Sequence, residues 1–152
     1  MTESQHTLLT AALNDGIEEI VVGAVLADAA GRVLLLHRPD IARDGFAGLW
    51  ELPSGTREPG EMVFETLVRG VEEATGLTVT VVGGYLGQFD YRSGSGKATR
   101  QVTFAVTTDG DSVQLSEHDD YQWAAHDRWD SVSPEVQQIL QDWSAAHLGN
   151  RG

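Results

Sequence analysis

Residues 55–77 read GTREPGEMVFETLVRGVEEATGL, which puts carboxylates into a segment that is helical by pattern. Phe64, Leu67, Val68, Val71 and Ala74 recur at three- and four-residue spacing. That apolar stripe predicts one helix over 61–75, with Phe64, Leu67 and Val71 buried and Gly76 as its stop signal. Carboxylates four residues apart on a helix share a face, and their oxygens suit a hard divalent cation. With Arg69 at zero and about 100° per residue, Glu73 falls near 40°, Gly70 near 100° and Ala74 near 140°. Glu72 and Glu65 fall near about 300° and 320°, round the helix and in solvent. Glu73 thus borders the face that positions 70 and 74 share.

Other reactive side chains are sparse. The chain has no cysteine, which excludes disulfides, thiolate zinc sites and cysteine nucleophiles. Its five histidines, His6, His37, His118, His126 and His147, lack metal-ligand spacing and read as surface or packing residues, with His118 set apart because it follows Glu117. Trp50 and Trp123 could stack on a base, but packing is their default role. Arg92, Lys97 and Arg100 flank a Gly/Ser loop and could hold phosphates, against the default of a solvated hairpin. Asp119 and Asp120 read as a polar loop.

The 23 positions from Gly55 to Leu77 resemble the Nudix box: Gly, five residues, Glu, seven residues, Arg-Glu-apolar, one residue, Glu-Glu, one residue, Gly-apolar. Gly55, Glu61, Arg69, Val71, Glu73, Gly76 and Leu77 match, and Gly70 and Ala74 stand where the box has glutamates. Gly48-Leu-Trp-Glu-Leu-Pro53 is similar to the family's lead-in, and Glu117-His-Asp-Asp-Tyr-Gln-Trp123 to its downstream loop and strand. The resemblance runs from about Val21 to Trp129.

It implies an α/β Nudix fold, a mixed β-sheet between helices with a loop-helix-loop motif. It implies Mg-dependent (or Mn-dependent) hydrolysis of a diphosphate bond in a nucleoside-diphosphate-linked substrate, at reduced or altered efficiency. Glu73, Glu117 and the Ser54 carbonyl are the implied metal ligands, a weak set for one ion. Arg69 and Glu61 are the implied groups that orient the carboxylates. Gly70 and Ala74 read as drift away from the ligand role, Ala74 towards packing. The rival is a non-catalytic Nudix domain that binds a nucleotide or a protein. An isoprenoid-diphosphate isomerase is weaker still, since the cysteine such enzymes use is absent. Nudix proteins commonly dimerise, which leaves a homodimer open.

Around the motif, Ile17 to Ala27 and Arg32 to His37 read as two strands joined in a hairpin by the turn at Asp28–Gly31. Pro39 to Gly45 is a polar loop. Leu77 to Tyr91 is a strand interrupted at Gly83-Gly84, Arg100 to Thr108 and Tyr121 to Ala125 are strands, and Ser133-Pro134-Glu135 opens a last helix that ends near His147. Residues 5–14 suit a short helix. At 152 residues the chain suits one domain, with 1–16 and 148–152 as terminal extensions.

The net charge of −13 argues against nucleic-acid polymers as partners and leaves a small anionic substrate carried by a cation. No window reaches about 18 apolar residues, and Met1-Thr-Glu-Ser-Gln-His lacks a secretory pattern. A cytoplasmic protein without a membrane span is the expectation.

Overall fold

The computed structural model describes residues 2–39 and 49–149. Residues 40–48, which include most of the expected polar loop and Gly48 of the lead-in, lie outside the described residues, as do Met1, 150–152 and the side chain of His147.

Helix α1 spans Thr2–Asn14, followed by strands β1 (Glu19–Leu26), β2 (Val33–His37), β3 (Trp50–Glu51) and β4 (Ser54–Thr56). Helix α2 covers Val63–Thr75, then come β5 (Thr78–Arg92), β6 (Ala98–Asp109), β7 (Asp120–Ala124), a 3-10 turn at His126–Ser131 and α3 (Pro134–Gly149). One sheet runs β4-β1-β6-β5, with β1 and β6 parallel and the other pairs antiparallel; the second runs β3-β2-β7 and is antiparallel. The mixed sheet and flanking helices match the α/β expectation.

The expected hairpin of β1 and β2 does not form. The two strands share only a single bridge, Ala27↔Val33, and then diverge into different sheets. Burial explains the split. From Val21 onward β1 is buried at every position, and β2 is buried from Val33 to Leu36, so each must be covered on both faces. Side-chain alternation sends Val22, Ala24, Leu26, Leu34 and Leu36 to a core shared with α2, and Val25, Val33 and Leu35 to a second core shared with α3.

Helix α2 starts at Val63, two residues later than the stripe suggests. Glu61 is drawn out of the helix because its carboxylate closes the loop before it, accepting from the Glu58 N–H at 2.8 Å. Glu65 takes over at the first turn, accepting from the Met62 N–H at 2.9 Å. Gly76 ends the helix at φ 74°, and its N–H donates to the Glu72 carbonyl. Leu67 and Val71 are fully buried, Phe64 is half-buried and edge-on to Phe104, and Glu65 and Glu72 are exposed. The register of β5 shifts three times between Val79 and Gly87, around the expected break at Gly83-Gly84.

Candidate active site

The site wraps around β4, an edge strand of the four-stranded sheet. Gly55 faces α2, while Ser54 and Thr56 face a cleft between the two sheets.

On the α2 side, Arg69 is the hub. Its Nε and Nη2 each donate to Glu61 at 2.8 Å, a bidentate pair, and Nη2 also donates to the Thr56 carbonyl at 2.8 Å. Its Nη1 reaches both oxygens of Glu73 at 3.2 and 3.3 Å, one turn along the helix. Glu61 further accepts from the Thr66 hydroxyl, and its backbone carbonyl accepts from Arg57 Nε. The Arg69 guanidinium, helped by the Glu58 N–H, holds the Glu61 carboxyl down to about 2. Glu61 in turn pushes the Arg69 guanidinium up, so both stay charged.

The structure thus joins Glu61, Arg69 and Glu73 in one network. Glu73 is exposed on the outer face of α2. Glu117 is also exposed, in a segment docked along the end of α2 by the Ser116 hydroxyl, which donates to the Glu73 carbonyl at 2.8 Å, and by the Gln114 N–H, which donates to the Thr75 carbonyl. The Ser54 carbonyl carbon lies 3.0 Å from where a Cβ on Gly70 would sit.

Gly70 is not an open place left by a ligand. A Cβ there would come within 2.6 Å of both the Cα and N of Gly55, so α2 rests backbone to backbone on β4. Ala74 lies in the α2 core. The drift reading of Gly70 therefore gives way to a packing requirement. Among the described residues no three carboxylate or histidine side chains converge on a point that could hold a metal. The expected donors, two exposed carboxylates and a backbone carbonyl, are all hard oxygen atoms, the kind a Mg²⁺-type cation takes.

On the other side of β4 lies a cleft of about 350 Å³, lined by Arg38, Trp50 and Glu51 from one sheet and by Glu19, Phe89, Tyr91 and Gln101 from the other. Trp50 leans on His37 with ring centroids 4.9 Å apart. Glu51 is held by His118 Nε2 at 2.7 Å and Arg38 Nη1 at 3.3 Å, and His37 by Asp119 at 2.6 Å. The cleft is what sequence reasoning missed. Phe89 and Tyr91 share a face by strand alternation, but Gln101 joins them only through the β5–β6 register, and no local pattern reports that. Trp123 instead packs against the α2 core.

Arg92, Lys97 and Arg100 do not form a phosphate cluster. Arg92 closes its own loop by donating to the Gly96 carbonyl, and Arg100 is buried between Asp90 and Asp15.

A model of the NUDIX domain matches residues 18–143. The chain therefore belongs to the NUDIX family, the class of hydrolases to which the fold and the Gly55–Leu77 segment point. It is 33% identical to the CTP pyrophosphohydrolase of Escherichia coli (strain K12) over 106 residues, 70% of this chain and 76% of that protein. Among solved structures it is similar to the MutT protein of Methanosarcina mazei Go1, with a TM-score of 0.73 at 28% identity, covering 84% of this chain and 94% of that one. It is also similar to the E. coli ORF135 protein, with a TM-score of 0.72 at 27% identity, covering 88% and 94%.

Proposed function

We propose that this chain hydrolyses a diphosphate bond in a small nucleotide-type substrate with one Mg²⁺ or Mn²⁺ ion, at lower efficiency than a complete Nudix box would give. The observation that carries this reading is the Thr56 junction. Arg69 donates to the Thr56 carbonyl, and Thr56 with Ser54 lines the cleft. The charged network and the ligand cleft thus meet across one strand.

Glu73, Glu117 and the Ser54 carbonyl would hold the cation, which when bound supplies positive charge against the diphosphate oxygens. Arg69 is a positioning residue that fixes the Glu73 carboxylate, and Glu61 fixes Arg69. The cleft would hold the nucleoside and so orient the phosphate chain over β4. The name of the E. coli relative puts CTP first among trial substrates. A cytoplasmic setting and a homodimer belong to the same proposal. Among the described residues no helix is long and apolar enough to cross a membrane.

The backbone contact of Gly70 with Gly55 favours a second reading, a nucleotide-binding module without turnover. One screen separates the two. Nucleoside triphosphates and nucleotide-linked diphosphates are offered with Mg²⁺ or Mn²⁺, and phosphate release is read together with thermal shift. Turnover that falls in Glu73→Gln supports the hydrolase. Stabilisation without turnover across the panel replaces it with the binding module.

A further inference from the structure

The floor of the cleft has a built polar feature. Gly23, in the middle of β1, faces the cleft side of the sheet together with Val21. A Cβ on Gly23 would lie 2.8 Å from Gln101 Nε2, 3.4 Å from Gln101 Cδ and 3.5 Å from the Thr103 hydroxyl. The carboxamide of Gln101 therefore lies across β1 in the space that a side chain at position 23 would fill.

Neither polar group at this recess has a hydrogen-bond partner among the described residues. The Thr103 hydroxyl is fully buried and has no hydrogen-bond partner among the described residues. Gln101 makes no side-chain hydrogen bond among the described residues, although its β6 neighbours Thr99 and Arg100 are both bonded. A half-buried carboxamide that makes no bond among the described residues, seated by a glycine on the floor of a cleft, is free to bond a ligand there.

The surroundings narrow the ligand. Phe89 stands opposite Gln101 in the β5–β6 register, and Tyr91 and Trp50 add further ring surface to the lining. Glu19 is half-buried, lines the cleft with Gln101, pairs with Thr99 in the β1–β6 register, and among the described residues accepts only a 3.4 Å contact from the Thr99 hydroxyl. Among the described residues the lining carries three carboxylates, Glu19, Glu51 and Glu135, against one cation, Arg38. That balance suits the heterocycle of a nucleotide and opposes its phosphates. A carboxylate accepts but does not donate, so beside Glu19 a ring that presents an amino group is matched, and a ring with a carbonyl at the same place is repelled. About 350 Å³ is near the lower end for ligand pockets and holds one nucleoside.

We infer that Gln101, seated by Gly23, reads the edge of the heterocycle in this cleft and, with Glu19, selects an amino-bearing base over its keto counterpart. The inference rests on the nucleotide reading above. Its test uses nucleoside monophosphates, which have no diphosphate bond to cleave and need no metal. Affinities for the cytidine and uridine, and the adenosine and inosine, 5′-monophosphates are measured by calorimetry in metal-free buffer.

In at least one pair the parent should prefer the amino base by about tenfold, the worth of one well-made hydrogen bond. Gln101→Leu should bring that ratio close to one. Gly23→Ala presses only on the flexible end of Gln101, so it should keep its thermal midpoint yet lose the same preference. Gly23→Ala in the Gln101→Leu background should change nothing further. A Gln101→Leu protein that keeps the parental preference overturns the inference, as does a parent without preference, and both leave the nucleotide reading standing. A parent that binds none of the four ligands removes the inference and the nucleotide reading together.

Discussion

Gly70 on α2 and Gly55 on β4 meet backbone to backbone, and a side chain on either would strike the other. A Cβ on Gly55 would lie 2.8 Å from the Gly70 Cα, and one on Gly70 would lie 2.6 Å from the Gly55 Cα and N. The Thr66 carbonyl adds a further approach at 3.0 Å from the Gly55 side. A glycine in a helix interior is ordinarily unfavourable by about 1 kcal/mol relative to alanine. Here it lets the helix sit closer to the strand than any other residue would.

Gly70→Ala is therefore expected to destabilise the protein by about 1–3 kcal/mol, the usual range for overpacking, despite the better helix propensity of alanine. Chemical denaturation measures this directly. A gain in stability would show that α2 moves off β4 easily. Rebuilding the box with Gly70→Glu and Ala74→Glu should lower stability further, since Ala74 lies in the apolar core. Added Mg²⁺ should not recover it.

Magnesium should bind weakly and at one site. Titration calorimetry on the parent should show a single shallow isotherm, and Glu73→Gln or Glu117→Gln should each weaken it. Tight binding of two ions would overturn the ligand count drawn from Glu73, Glu117 and the Ser54 carbonyl.

Glu61 gives the fold an acid-sensitive element. Its carboxyl is held at about 2 in the folded protein against an ordinary 4.5, chiefly by hydrogen bonds from Arg69. A carboxylate depressed on folding stabilises above its unfolded value, and that contribution fades as the pH falls from about 4.5 towards about 2. Glu61→Gln should be less stable than the parent at neutral pH, and the gap should narrow across that acid window. A gap that stays constant with pH would show that Glu61 acts by packing alone. Arg69→Met should weaken cation binding without touching any donor, because Glu73 loses the guanidinium that fixes it.

Gln5 in α1 caps the box helix from 59 residues away, its side-chain oxygen accepting from the Phe64 N–H at 2.8 Å. Gln5 is buried, so Gln5→Ala leaves a first-turn N–H without its partner. The expected loss is about 1 kcal/mol. Hydrogen exchange should show faster opening at the start of α2 than at its end; uniform protection would remove α1 as a brace.

The family, the helix and the Glu61–Arg69–Glu73 network were legible in the sequence because they are local. A stripe at helical spacing, a glycine stop, and charges one turn or one loop apart are all set within 23 residues. The angular position of Glu73 beside Arg69 follows from helix geometry alone. Tertiary structure decided the rest. β1 and β2 look like a hairpin when read along the chain, but both are buried on two faces, and only separate sheets can cover them. Gly70 looks like a lost ligand until β4 is laid across it. Gln101 is one polar residue in a strand of mixed character, and it becomes a candidate reader only when parallel pairing with β1 lays it over Gly23. Contacts between residues far apart in sequence depend on register and layer packing, and those are set by how the whole core closes rather than by any one segment.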